Sequence, residues 1–126
     1  MQEITIITEN KVGILADICE LLGGSGVNIE AISAQGLGDS GLIRIITGDA
    51  TTANRVLSKT GHKIKTSDIL VIDMVDRPGE LAKITRKISK SGVNVESLYI
   101  LTKNRGGMTS VAIKTDNIEA TKNAIK

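Results

Sequence analysis

The sequence predicts an α+β fold made of two copies of one strand–helix–strand–strand–helix–strand unit. Residues 13–30 recur 66 positions later as residues 79–96 without a gap, and nine of these 18 positions are identical. In both copies, short runs with alternating apolar residues flank a segment with apolar residues at helical spacing. Because a long ungapped repeat indicates a duplicated structural unit, we predict two such units in the chain.

The two units are assigned to residues 1–67 and 68–126. A lone unit of about 60 residues buries only roughly 60% of the surface of its unfolded chain, so its stability is marginal. We therefore expect the units to share an interface. We also expect a partner chain, most simply in a homodimer.

The order of elements follows from local patterns. Alternating apolar residues predict strands, and apolar residues spaced by three or four predict helices. A glycine ends each first helix, and an aspartate caps each second helix. The first copy is thus predicted to contain a strand over 4–8, a helix between Gly13 and Gly26, strands over 27–34 and 42–47 joined by a turn over 36–41, a helix over 51–59 capped by Asp49, and a strand over 62–66. The second copy is predicted to contain a strand over 70–74, a helix between Gly79 and Gly92, strands over 93–101 and 108–115 joined by a turn over 103–107, and a helix from Ile118 capped by Asp116.

This order is the ferredoxin-like split βαβ arrangement, in which an antiparallel sheet carries two helices on one face. Along each second strand the alternation changes phase, after Ile29 and after Val95, which predicts a β-bulge in both copies. The second copy shows no fourth strand before Lys126. Because native proteins avoid unpaired sheet edges, we expect either a trimmed sequence or a partner strand there.

Composition argues against several classes of function. Aromatic residues make up 1% of the chain, with Tyr99 the only one, so the stacking surfaces of single-stranded nucleic acid binders are missing. The net charge of +2 is too small to argue for an anionic polymer partner. The lone Cys19 forms no internal disulfide, and we find no membrane-spanning apolar run and no signal peptide pattern. These features favour a cytoplasmic protein that binds neither nucleic acid nor a membrane.

The sequence offers no constellation of residues for catalysis or for a cofactor. His62 and Cys19 are isolated, and no His/Cys/Asp cluster has the spacing of a metal site. We find no nucleophile with a matching base, no Gly-rich phosphate loop after a strand and no matched carboxylate pair. We therefore predict no enzymatic activity, no metal and no cofactor.

Two motifs resemble the ACT domain family. The first is the loop [Asn/Asp]-x-[Val/Pro]-Gly-x-Leu-Ala before the first helix, and the second is Gly-Val-Asn-[Ile/Val] before the second strand. Both occur twice in register, and the resemblance covers residues 4–126. The likeness is to small tandem ACT proteins, whose relatives include regulatory subunits of acetolactate synthase. In that family, domains pair side by side and small effectors, most often amino acids, bind at the seam.

The resemblance implies ligand contacts from the loop glycine, from the polar residue three positions before it, and from the asparagine after the helix. With their neighbours, the implied residues are Asn10, Val12, Gly13, Ile14, Leu15, Asn28 and Ile29 in the first copy, and Asp76, Gly79, Glu80, Leu81, Asn94 and Val95 in the second. A loop that enters a helix offers free N–H groups and the positive end of the helix dipole, which suit a carboxylate. The alternative is that these residues have only structural roles, in which the asparagines cap the turn between helix and strand and the glycines are turn glycines.

The two copies differ at the loop. Asn10 is replaced by Asp76, which would favour an ammonium group, and Val12 is replaced by Pro78. We expect either that the first copy is the better site or that the sites differ in preference. The resemblance implies a regulatory sensor of an amino acid or similar effector that modulates a metabolic enzyme. The alternative is an accessory protein–protein interaction subunit of a biosynthetic enzyme, such as one like acetolactate synthase, without its own ligand.

Overall fold

The computed structural model describes the backbone of residues 1–103 and 106–126. Contacts divide the chain into two compact units, Met1–Ser67 and Asp68–Lys126. Each unit contains its own sheet, its own helices and its own cluster of buried apolar residues. The predicted turn over 103–107 lies partly outside the described residues.

The first unit contains a four-stranded sheet and two helices. Its elements are β1 (Gln2–Glu9), α1 (Ile14–Gly24), β2 (Ala31–Leu37), β3 (Ser40–Thr47), α2 (Ala50–Leu57), a 3₁₀ turn (Ser58–Thr60) and β4 (Lys63–Asp68). The strand order is β2-β3-β1-β4, and β3 runs antiparallel to both β1 and β2. Along β1 and β3, Ile4 lies opposite Ile45 and Ile6 lies opposite Ile43.

The core of the first unit lies between one face of this sheet and the two helices. Every second residue of β1 and β3 points to that face, because side chains alternate along a strand. The buried members are Ile4, Ile6, Ile43 and Ile45 from the sheet, Ile18 and Leu22 from α1, and Ala53, Val56 and Leu57 from α2. Burial of each large aliphatic side chain contributes roughly 1.5–3 kcal/mol. The apolar residues at helical spacing, Ile18 and Leu22, therefore pack α1 against the sheet.

The second unit repeats this plan with a smaller buried core. Its elements are β5 (Leu70–Val75), α3 (Glu80–Lys90), β6 (Val95–Lys103), β7 (Met108–Thr115) and α4 (Ile118–Ala124). Among the described residues the sheet has three strands in the order β5-β7-β6, so β5 lies at its edge. The fully buried cluster is Ile88, Val93, Val111 and Ile113. The predicted fold class, α+β with antiparallel sheets and helices in a duplicated ferredoxin-like plan, is confirmed.

The second strand of the first unit differs from its prediction. It begins at Ala31 rather than at Val27, and it pairs with β3 without a shift of register. The residues before it are held to β3 by isolated hydrogen bonds, from Thr47 Oγ1 to the Asn28 carbonyl (3.0 Å) and from Glu30 N to the Ile46 carbonyl (2.8 Å). The bulge predicted for this copy is therefore wrong. In the second unit, the register does shift between Val95 and Ser97, as predicted.

The N-cap residues of the second helices, α2 and α4, also differ between the two units. Asp49 caps α2 as predicted, because its side chain accepts a hydrogen bond from Thr52 N at 3.2 Å. The cap of α4 is Asn117, not Asp116, since Asn117 Oδ1 accepts from Ala120 N at 3.0 Å. Among the described residues, no helix is long and apolar enough to cross a membrane.

Candidate functional site

Each first helix begins directly after a glycine in the left-handed conformation. Gly13 precedes α1 with φ of 91°, and Gly79 precedes α3 with φ of 86°. A Cβ at either position would meet no atom within 4 Å, so backbone conformation and not space requires glycine there. Neither helix has a side-chain cap. The N–H groups of the first turn are therefore not occupied by a capping side chain.

The first pocket is a cleft of about 180 Å³ between this loop and the β2–β3 hairpin. It is lined by Thr8, by loop residues 9–11, by Ile14 and Leu15 of α1, and by residues 34–36 and 41–43 of the hairpin. Asn10 fastens the loop to the hairpin, because its Nδ2 donates to the Gly38 carbonyl and its backbone N donates to the Asp39 carbonyl, each at 2.9 Å. The amide predicted to contact a ligand thus already has a donor engaged.

Two glycines of the hairpin form the floor of the first pocket. Gly36 and Gly41 lie opposite each other in the β2–β3 pair. A Cβ at Gly36 would lie 2.7 Å from Asn10 Nδ2, and a Cβ at Gly41 would lie 2.5 Å from Thr8 Oγ1. Sequence reasoning treated these residues only as part of a turn. The available signal was that glycine stands at both ends of the turn over 36–41.

The second pocket is a larger cleft of about 320 Å³ at the same place in the second unit. It is lined by Met74 of β5, loop residues 76–79, Leu81 of α3, Ile100 of β6, and Thr109 and Val111 of β7. Asp76 N donates to the Gly107 carbonyl at 2.6 Å, which attaches the loop to the β6–β7 hairpin as in the first unit. Sequence reasoning missed Ile100 and Thr109, because only strand pairing brings them beside the loop.

Charged side chains at both loops are paired. Lys11 Nζ lies 2.7 Å from Glu9 Oε2, and this hydrogen bond lowers the pKa of Glu9 and raises the pKa of Lys11. Glu80 Oε1 accepts from Arg77 Nε at 2.9 Å, from Arg77 Nη2, and from Lys83 Nζ at 3.2 Å. These hydrogen bonds, that from Arg77 first, lower the pKa of Glu80. Glu80, a predicted site residue, is therefore engaged with cations of its own loop and helix.

The structure brings some of the predicted residues together and not others. Six of them line the pockets: Asn10, Ile14 and Leu15 in the first, and Asp76, Gly79 and Leu81 in the second. Val12 is fully exposed and lies outside the first pocket. Ile29 and Val95 pack against the cores of their units.

The two predicted asparagines that follow the helices lie away from the pockets of their own units. Asn28 precedes β2, whose first residue pairs with Ile46, whereas the Asn10 loop follows the residue that pairs with Ser40. Six residues of β3 separate those positions, which is roughly 20 Å at 3.4 Å per residue. Asn28 Nδ2 donates to Glu30 Oε1 at 3.1 Å. Asn94 N donates to an Asp116 carboxylate oxygen at 3.1 Å, so both asparagines make local contacts.

No group of three or more His, Cys, Asp or Glu side chains that could hold a metal ion occurs in the described part of the chain. The pockets instead combine aliphatic walls with polar loop residues, which are Glu9, Asn10 and Lys11 in the first and Asp76 and Arg77 in the second. Such a combination suits a small zwitterion rather than a metal or an extended polymer.

A family model described as an ACT domain pair matches residues 1–126, so the chain belongs to the ACT domain family. A curated relative is the acetolactate synthase small subunit of Aquifex aeolicus (strain VF5), which is 32% identical over 124 residues. The match covers 94% of this chain and 64% of that protein, so the chain spans less than two thirds of the relative's length.

Solved structures show the same fold over nearly the whole chain. Protein BT0572 from Bacteroides thetaiotaomicron is 26% identical with a TM-score of 0.85, and the match covers 98% of this chain and 84% of that one. The ligand-free regulatory subunit of aspartate kinase from Thermus thermophilus is 20% identical with a TM-score of 0.73, covering 98% of this chain and 89% of that one. At that identity the second comparison supports the fold alone.

Proposed function

We propose that this chain is a regulatory sensor that binds an amino acid or similar zwitterion at its loop pockets and thereby modulates a metabolic enzyme. One observation carries the proposal. In both units a cleft opens at the same place, beside an uncapped helix start and a polar loop residue, Asn10 or Asp76. Uncapped N–H groups and the helix dipole favour a carboxylate, and a carboxylate or amide side chain accepts from an ammonium group.

Membership of the ACT domain family and likeness to the small subunit of an enzyme support a role in regulation rather than catalysis. We therefore propose that the chain has no catalytic activity, works in the cytoplasm, assembles as a homodimer and acts on a biosynthetic enzyme. We also propose that residues 1–67 and 68–126 are its two ACT domains. Ligand binding would regulate by favouring one of two arrangements of the assembly.

A second candidate is an accessory subunit that holds an enzyme without an effector of its own. The contacts of Asn28 and Asn94 favour it, since the Asn28 side chain donates to Glu30 and the Asn94 backbone donates to Asp116 within their own units. Asn10 likewise fastens a hairpin. These contacts would persist in a protein that never binds a small molecule.

Thermal-shift measurements on the whole chain with each of the twenty amino acids at millimolar concentration separate the two candidates. A ligand that binds only the folded state stabilises it by RT ln(1 + [L]/Kd), about 2.7 kcal/mol at a hundredfold excess over Kd. A rise in melting temperature with one amino acid supports the sensor. No rise with any of them, together with co-purification of an enzyme, supports the accessory subunit. Val12→Ala should leave any such rise unchanged, because this exposed loop side chain lies outside the pocket.

A further inference from the structure

The floor of the second pocket contains a buried hydroxyl group. Thr109 on β7 is only 2% exposed, and its Oγ1 has no hydrogen-bond partner among the described residues. Buried polar groups in native proteins are almost always paired, so an orphaned one calls for an explanation. A hydroxyl both donates and accepts, so it can pair with either kind of polar atom.

At the equivalent strand pair of the first unit, the hydroxyl group is hydrogen-bonded. There Thr8 of β1 lies opposite Gly41 of β3, and Thr8 Oγ1 donates to the Glu9 carbonyl at 2.8 Å. In the second unit Met74 of β5 lies opposite Thr109 of β7. The hydroxyl therefore lies on the other strand of the pair, where it has no partner among the described residues.

The surroundings of Thr109 are apolar. Met74, Ile100 and Val111 line the pocket beside it, whereas the charged residues Asp76 and Arg77 line the pocket from the loop. A charged ligand group brought past the loop to this floor would lose hydration, and the floor residues offer no opposite charge. An aliphatic group would leave the hydroxyl unpaired, whereas a neutral polar group would satisfy it.

We propose that Thr109 determines the specificity of the second pocket and selects an amino acid with an uncharged polar side chain, a hydroxyl or a carboxamide. This inference rests on the proposed sensor function. In it, Asp76 accepts from the ammonium group of the ligand, and the ligand side chain reaches inward to Thr109. Because Thr109 Oγ1 is itself buried, contact requires rotation of its side chain or a shift of the flexible Met74 beside it.

The test compares near-isosteric amino acids by calorimetric titration of the whole chain. The probe pairs are L-serine with L-alanine, L-threonine with L-valine, and L-asparagine with L-leucine. We expect the polar member of at least one pair to bind about tenfold tighter or more, because a site that pairs a hydroxyl rejects an analogue without one. Thr109→Val should abolish that preference, and Thr109→Ser should retain it.

Two further measurements exclude a merely structural role. Without ligand, Thr109→Val should unfold at the same temperature or higher, because the substitution removes an unpaired buried hydroxyl without changing the shape. Thr115→Val is the matched control on the same strand, because its buried hydroxyl is bonded to Thr121 Oγ1 at 2.8 Å and Thr115 lines neither pocket. It should lower the melting temperature and leave the preference among amino acids unchanged.

Three results overturn the inference alone. They are equal or tighter binding of the aliphatic member in every pair, a preference that persists in Thr109→Val, and a charged amino acid as the tightest ligand. Absence of binding by any amino acid overturns the proposed sensor function as well.

Discussion

The two pockets of this chain occupy equivalent places in a duplicated fold but differ in their floors. The first measures about 180 Å³ and rests on Gly36 and Gly41. The second measures about 320 Å³ and has Met74 and Thr109 at its floor. Both loops retain a left-handed glycine before the helix. The two copies thus share the backbone conformation of the loop beside the pocket, whereas the side chains that would select a ligand differ.

The difference also concerns hydrogen bonding. In the first unit, Asn10 Nδ2 is bonded to the hairpin and the Thr8 hydroxyl is bonded to the neighbouring carbonyl. In the second, the hydroxyl of Thr109 has no hydrogen-bond partner among residues 1–103 and 106–126. A pocket whose own groups satisfy one another gains less from a ligand than a pocket with an unpaired group. We therefore propose that the second pocket binds the ligand more tightly than the first.

Filling the floor of the first pocket should give the largest effect on stability. Gly41→Ala places a Cβ 2.5 Å from Thr8 Oγ1 and 3.3 Å from the Glu9 carbonyl. Overpacking of this kind costs about 1–3 kcal/mol, to be measured by urea unfolding. Gly48→Ala is the control, since a Cβ there meets nothing within 4 Å. Equal stability of the two variants would show that the floor is not close-packed.

The carboxylate of Asp76 should contribute to the affinity of the second pocket for an amino acid. If Asp76 accepts from a ligand ammonium group, Asp76→Asn should weaken the amino acid found by the thermal screen roughly tenfold, because hydrogen bonds to charged groups contribute about 1.5–3 kcal/mol. Asp73→Asn removes a carboxylate from β5 that accepts from Ser110 and does not line the pocket. If titration calorimetry finds equal losses for both variants, a general charge effect explains them and Asp76 is not a ligand contact.

Substitution of the two glycines that precede the first helices should lower the stability of the protein by equal amounts. Gly13→Ala and Gly79→Ala each force a side chain into the left-handed conformation, at a cost of about 1 kcal/mol. Urea unfolding of both variants checks the expected equality. Gly24→Ala offers a control of opposite sign, because Gly24 ends α1 with φ outside the left-handed region and has nothing within 4 Å of an added Cβ. Alanine in a helix is favoured over glycine by roughly 0.5–1 kcal/mol.

The smallest expected effect is the pH response of the second loop. The hydrogen bonds from Arg77 and Lys83 lower the pKa of Glu80 in the folded state. The stabilisation is therefore present above the ordinary glutamate pKa and is lost as the pH falls through the lower, folded-state pKa. Glu80→Gln should remove this part of the acid-side decline in melting temperature. The first unit has Ile14 at this position, so this contribution belongs to the second unit, and Glu80→Gln should leave the separate Glu9–Lys11 contribution of the first loop unchanged. If high salt leaves the contribution intact, simple ion pairing does not explain it.

Much of the fold could be predicted from local patterns. The helical stripe with Ile18 and Leu22 is buried as expected, and Asp49 caps its helix. The error at Val27–Glu30 arose because single hydrogen bonds to β3 hold that segment in place of a strand ladder. Alternation of side chains does not distinguish these two states.

The sequence by itself determined the duplication, the order of strands and helices, and the two glycines before the helices, because these depend on residues close together along the chain. Only the tertiary structure decided which residues form the pocket floors. Thr8 meets Gly41, and Met74 meets Thr109, through antiparallel pairing across more than thirty residues. Register depends on the packing of whole strands, and a shift of one residue would turn each side chain to the other face. That pairing leaves the Thr109 hydroxyl buried and without a partner in the described part of the chain, which no local pattern in the sequence reveals.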